Sequence, residues 1–140
     1  MSGTSAVYVG GAQDNGSWKF SSSWSNIYGG DGGYSWVDKT DSTRSYASYV
    51  YTYIYRCTSG SCANILSQGQ LDGNGDFINP YIMDPNNSKQ LFTCTVSLWK
   101  TTDATISMLV GGISGVMNFR YSIMDESRYY SRYCRWGYSR

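Results

Sequence analysis

The sequence contains no histidine, and Glu126 is its single glutamate. Without imidazole there can be no Ser-His-Asp or Cys-His relay, and no zinc site of the common imidazole kind. Charge is scarce as well: 15% of residues are charged and the net charge is +1, so no broad field attracts nucleic acid or a membrane surface. Alanine, glutamate, lysine and leucine, which build helices, are few. The longest nearly apolar run, "ISMLVGGISGVM" from Ile106, is too short to cross a bilayer and carries three glycines. The opening "MSGTSAVYVGG" has no basic head followed by an apolar stretch, as a secretory signal would. The expectation is a soluble chain, cytoplasmic by default, with no cofactor, no bound metal, and neither nucleic acid nor membrane as partner.

What is abundant is tyrosine, tryptophan and glycine: 14, 5 and 16 among 140 residues. Tyrosine, valine, isoleucine and threonine suit a pleated surface, so the predicted class is all-β, in one domain by length. Cys57 and Cys62 bracket a turn, "TSGS", and a bridge across that hairpin is geometrically open to them. Cys94 and Cys134 have no spacing that fixes a partner, and with no CxxC a four-cysteine zinc site is not expected. In the absence of a visible secretory signal, reduced cysteines half-buried in strands are the favoured expectation.

Three segments repeat one grammar, beginning at Tyr34, Asn79 and Arg120. Each has an apolar strand ending in aspartate (Asp38, Asp84, Asp125), then a polar turn and a strand bearing an aromatic (Tyr46, Phe92, Tyr130). After another turn, a further strand carries an aromatic with a base: Tyr55-Arg56, Trp99-Lys100, and Tyr138 with Arg140. The aspartates stand 46 and 41 residues apart (84 minus 38, 125 minus 84). The N-terminal part fits the same grammar joined midway, with Tyr8 and Trp18-Lys19 in the matching places. Weaker fourth strands are expected near Ile27, Ile65 and Leu109. Short antiparallel strands in units of four, repeated at this spacing, are the pattern of propeller blades.

The stretches "GGDGGYSWVDKTDS…YIYRCTSG" and "INPYIMDPNN…LWKTTDA" resemble blades of the Asp-box (BNR-type) β-propellers. That resemblance covers nearly the whole chain and implies the fold of sialidase, xyloglucanase-type glycoside hydrolase and sortilin-type receptor propellers. The Asp-box itself is eroded: "TTDATISM" keeps Asp103 without its glycine and tryptophan, and "CTSGSCANI" has Ser59 in place of the acid. The expected architecture is a partial propeller of about three to four blades. The units are a partial blade at 1–33, blades at 34–68 and 77–110, and a partial blade at 116–140. Too few to close alone, they are expected to be completed by a homodimer forming a ring of about seven blades.

In such a fold the links between blades converge on one face. They read "GGDGG" at 29–33, "QGQLDGNGDF" at 68–77 and "GGISG" at 111–115. Close approach and positive φ explain the glycines; the acids Asp31, Asp72 and Asp76 need another reason. With Tyr34, Trp36, Asn79, Tyr81, Arg120 and Tyr121 from the first strands, they make up a candidate ligand-binding set. Carboxylates and amides bond sugar hydroxyls while aromatic rings cover the apolar face of a sugar. A phosphate loop would need a helix N-terminus or a lysine beside the glycines, and neither is suggested. Asp72, Asn74 and Asp76 have calcium-loop spacing, but Phe77 and Met83 stand where such a loop needs glycine and glutamate.

The expected function is non-catalytic binding of a glycan or a protein on the link face. The alternative is a glycoside hydrolase using paired aspartates. A stand-alone fragment of a larger propeller with no retained activity is a further alternative.

Overall fold

The computed structural model describes residues 6–101, 103–104, 111–112, 119–125 and 128–134, the last three segments as backbone only. It is all-β, with no helix among the described residues. The first sheet holds β1 (Tyr8–Ala12), β2 (Gly16–Phe20) and β3 (Trp24–Tyr28). The second holds β4 (Ser35–Val37), β5 (Arg44–Ser48), β6 (Ile54–Thr58) and β7 (Ser61–Leu66). In the third are β8 (Tyr81–Met83), β9 (Leu91–Cys94), β10 (Leu98–Lys100) and β11 (Gly111–Gly112). β12 (Phe119–Asp125) and β13 (Arg128–Cys134) pair with each other. Every sheet is an antiparallel meander in chain order.

The repeat has a physical basis in its first turn. The Asp38 and Asp84 carboxylates accept the amides of Thr40 and Asn86, both at 2.8 Å. Three residues after each, Asp41 and Asn87 accept the amides of Thr43 and Lys89. The backbone then closes alike, Asp38 N to Arg44 O at 3.0 Å and Asp84 N to Gln90 O at 2.9 Å. Side-chain oxygens that mimic a turn's own carbonyl two residues on are why Asp and Asn recur there.

Register corrects one expectation. Lys19, Arg56 and Lys100 lie opposite Val9, Tyr46 and Phe92, so Val9 rather than Tyr8 is the counterpart of the two aromatics. One residue of slip moves a side chain to the other face, and Tyr8 therefore points away from the second sheet. A second correction concerns "GGISG": Gly111 and Gly112 belong to β11 and pair with β10, while its last three residues lie outside the described ones, as do Ile106 to Val110.

The expectation of reduced cysteines is overturned as well. Ser59 and Gly60 both adopt left-handed φ, 51° and 82°, which makes the two-residue hairpin turn that puts Cys57 directly opposite Cys62. The pair forms a disulfide, and Cys94 is disulfide-bonded too. A bridge between residues 5 apart removes little chain entropy. Replacing both Cys57 and Cys62 by serine should therefore cost about 2 kcal/mol in urea unfolding. An unchanged midpoint would show that the turn alone holds the hairpin.

The core lies between the second and third sheets. Tyr46, Ile54, Ile65 and Leu66 meet Leu71, Tyr81, Met83, Leu91 and Ala104, with Trp36 and Trp99 packed at the margin. Burial pushes the Tyr46 phenol up to about 12 and raises the Tyr81 phenol well above its ordinary value, so both stay neutral. Cations staple one sheet to the next: Lys19 Nζ donates to the carbonyls of Ser42 and Thr43, at 2.8 and 3.0 Å, and Arg56 donates to that of Ala104 at 3.3 Å.

Candidate functional site

Two links and three turns gather at one end of the sheets. The 29–34 link is held to the β1–β2 hairpin by Gly32 N to Ala12 O at 3.0 Å, and to the end of β5 by Gly33 N to Ser48 O at 3.3 Å. The 67–80 link is held to the β5–β6 turn by Tyr51 N to Phe77 O at 2.7 Å, and Tyr51 bridges Ile78 in parallel. From the same link Asp72 reaches the β9–β10 turn.

Asp31 has a structural partner. Its Oδ1 accepts the amide of Asp14 at 2.9 Å, and Asp14 sits at φ 62°, the left-handed residue of the β1–β2 turn. The carboxylate bolts the link to that turn.

Asp72 is engaged on both oxygens. Oδ1 accepts from Thr95 Oγ1 at 2.5 Å, Trp99 Nε1 at 3.1 Å and the Ser97 amide at 3.3 Å, while Oδ2 accepts from the Ser97 hydroxyl. Partial desolvation would raise its pKa, but the bonds from Ser97, Thr95 and Trp99 prevail and hold it at about 2. Such a group is ionised at neutral pH and has no proton to give.

The remaining candidates separate by depth. Asp76 is exposed, and its amide is bonded by Asn79 Oδ1 at 3.2 Å. Asn79 is buried, donating to Thr93 Oγ1 at 2.8 Å. Tyr81 is fully buried in the core, and Trp36 turns toward it, donating Nε1 to the Tyr81 carbonyl at 3.1 Å. Tyr34 is half-buried, and its carbonyl takes both the amide and the hydroxyl of Ser48. Arg120 and Tyr121 fall in β12, whose side chains lie outside the described residues. The fold thus leaves Asp31, Asp72 and Asp76 at the link face and takes Trp36, Asn79 and Tyr81 into the packing.

The calcium-like spacing does not converge. Asp72 turns to the β9–β10 turn and Asn74 Oδ1 accepts from Gln68 at 2.9 Å. Among the described residues no three His, Cys, Asp or Glu are gathered as a metal would require.

Apart from Tyr34, the aromatic residues at and behind this face were not among the candidates. Tyr28 stacks on Tyr55 at 3.9 Å between ring centroids and meets Tyr49 edge-on at 6.3 Å; Tyr49 in turn meets Tyr53 at 6.4 Å. Tyr51 meets Phe77 at 5.8 Å, almost perpendicular, with Phe77 45% exposed. The signal was the run "SYVYTYIYR" at 48–56, with tyrosine at every second position. The chain turns there, as expected between the Tyr46 and Tyr55 strands, with Tyr51 at φ 57°, which sends Tyr49, Tyr51 and Tyr53 to the end of the sheet. Comparison with known proteins finds no family model, no curated protein and no solved structure that matches this chain.

Proposed function

We propose that this chain is a non-catalytic binding module of the Asp-box propeller type, its successive sheets acting as blades, that takes a glycan on the face of the inter-sheet links. The observation that carries the reading is that one face holds both half-open aromatic rings and acids: Tyr49, Tyr51, Tyr53 and Phe77 on a turn and link pinned together, and Asp31 and Asp76 on the two links. Aromatic faces take the C–H surface of a sugar, and phenol and carboxylate oxygens take its hydroxyls. The link and turn backbones are pinned to one another, so little ordering is left for binding. A protein ligand would use the same rings, and is the second outcome to be sought.

The hydrolase alternative needs a protonated carboxylic acid near neutral pH. Asp72, held at about 2 with its oxygens engaged, does not supply one. The test is a glycan array followed by calorimetry. Wild-type protein should bind a glycan class without hydrolysing aryl glycosides, and Phe77→Ala should weaken binding roughly five- to tenfold, the worth of one aromatic contact. Hydrolysis abolished by Asp31→Asn or Asp76→Asn would replace this reading with the enzymatic one. Capture of a protein and no glycan would change the ligand class.

A further inference from the structure

We propose that the outward face of the first sheet is the surface on which a second copy of this chain stacks. The inference rests on how the sheets pack and on their reading as successive blades, not on what the link face binds.

Residues directly opposite one another in a sheet share a face. In the second sheet the row Trp36–Tyr46–Arg56 faces onward to the third, and the row Ser35–Ala47–Tyr55–Asn64 faces back to the first. In the third sheet Tyr81–Thr93–Trp99 and Met83–Leu91 face back to the second. The second and third sheets each have a back face covered by their predecessor, and all three have an onward face whose Lys19, Arg56 or Lys100 stands in the same register place. Lys19 and Arg56 use that place to bond carbonyls of the next unit.

The first sheet obeys the rule on its onward side, where Val9, Lys19 and Ser25 lie. Its back face carries Gly10–Trp18–Asn26 and Tyr8–Phe20–Trp24, and nothing among the described residues covers it. Tyr8 and Trp24 are each 58% exposed and Trp18 38%, so three of the five large exposed hydrophobic residues described share this surface. Tyr8, Phe20 and Trp24 form a ladder across the strands, with centroids 6.1 and 5.5 Å apart. Trp18 is the counterpart of Tyr55 and Trp99, which are both packed against a preceding sheet. Exposed aromatics grouped on one sheet face mark an interaction surface. Among the described residues the same sheet has no strand in the place that β4 and β8 take in theirs, so β1 has only β2 beside it.

What covers such a face within this chain is the onward face of another unit of the same repeat. A second copy carries units built to that rule, and a two-fold arrangement lets each copy cover the other's first sheet and closes without leaving an open end.

The test is the particle mass by sedimentation equilibrium of the full chain at tens of micromolar. The expected mass is about 31 kDa, twice 15.6 kDa. Gly10 gives a clean probe: a Cβ there meets nothing within 4 Å, so Gly10→Arg adds a charged arm to the face without disturbing the fold. Gly10→Arg and Trp24→Glu should each weaken self-association on the order of 100-fold, while sheet circular dichroism stays unchanged. Val96→Arg, at a residue 66% exposed on the β9–β10 turn, should leave the mass as it is. A folded wild-type monomer, whether its face is bare or covered by its own chain, overturns the proposal, as does a dimer indifferent to Gly10→Arg. A monomer that still binds glycans refutes the pairing and leaves the link-face reading intact.

Discussion

Replacing Gly32 by alanine should cost on the order of 3–5 kcal/mol, among the largest losses a single methyl can produce. A Cβ at this position would sit 2.5 Å from the carbonyl carbon of Gly16 and 2.8 Å from the amide nitrogen of Ala12, and closer still to the Gly16 oxygen. All of these are backbone atoms of the β1–β2 hairpin, which cannot swing aside as a flexible side chain could. From the other side, a Cβ at Gly11 would come within 2.5 Å of Gly33 N and 2.6 Å of Gly32 C. Link and hairpin thus lie backbone against backbone, held by Gly32 N to Ala12 O and by Asp31 on the Asp14 amide. Gly29, in the same link, is the control, since a Cβ there meets nothing within 4 Å and its φ is not left-handed. Gly29→Ala should change stability by no more than about 0.5 kcal/mol. Thermal melts decide the matter: Gly32→Ala should lower Tm by roughly 10–15 °C and Gly29→Ala hardly at all. Equal shifts would mean that the link is not pressed into the hairpin.

That contact also answers what the acid between two glycine pairs does. The glycines let two backbones touch, and the aspartate ties the link to the turn beneath it. Sequence alone reached the first half, because positive φ and close approach are what glycine supplies. It could not reach the second, because Asp14 lies 17 residues away and offers only a backbone amide, which no side-chain pattern reveals.

The same division runs through the fold. The four-strand units of the second and third sheets were legible because their signals are local: aspartate at the first turn, and an aromatic-base pair on the third strand, whose register is matched by the pair on β2 of the first sheet. Tyr8 was misplaced by one residue, since the β1–β2 turn with its left-handed Asp14 and Gly16 sets a register that counting along the chain does not show. Asn79, Tyr81 and Trp36 were expected at a ligand because they are polar or aromatic at strand starts. A strand covered on both faces has no polar side to betray its orientation, so alternation could not tell packing from pocket. The turn between the Tyr46 and Tyr55 strands was legible and lies at 49–53, but period-two tyrosines did not show which of them leave the sheet there.

Asp38→Asn should be the most damaging change among the repeat's aspartates, at about 2–4 kcal/mol. The Asp38 side chain is wholly shielded; Oδ1 accepts both the amide and the hydroxyl of Thr40 at 2.8 Å, and Oδ2 accepts Arg44 at 2.6 Å. An amide keeps one acceptor but offers Arg44 a neutral or repelling group, leaving the guanidinium with Asp41 at 3.2 Å. Burial by itself would raise the Asp38 pKa; bonds from Ser88, Thr40 and Arg44 reverse this and bring it from 3.8 to about 2. A carboxylate whose folded pKa is depressed stabilises the fold above its unfolded value, and the gain drains away as pH falls through the folded one. The loss should therefore run from about pH 4 down to about pH 2, amounting to roughly 2–3 kcal/mol for Asp38. Asp72 titrates in the same window, but it is exposed, so screening leaves its share small. Urea midpoints measured between pH 2 and pH 7 should fall steeply at the acid end for the wild type and flatten in Asp38→Asn. Asp84, 46 residues on, makes the same bond to its turn amide but is only half-buried and has Gln90 where Arg44 stands, so Asp84→Asn should cost less than about 1 kcal/mol. If the two substitutions proved equal, the repeat's turn chemistry would suffice on its own, and the Asp38–Arg44 pair would contribute nothing beyond it.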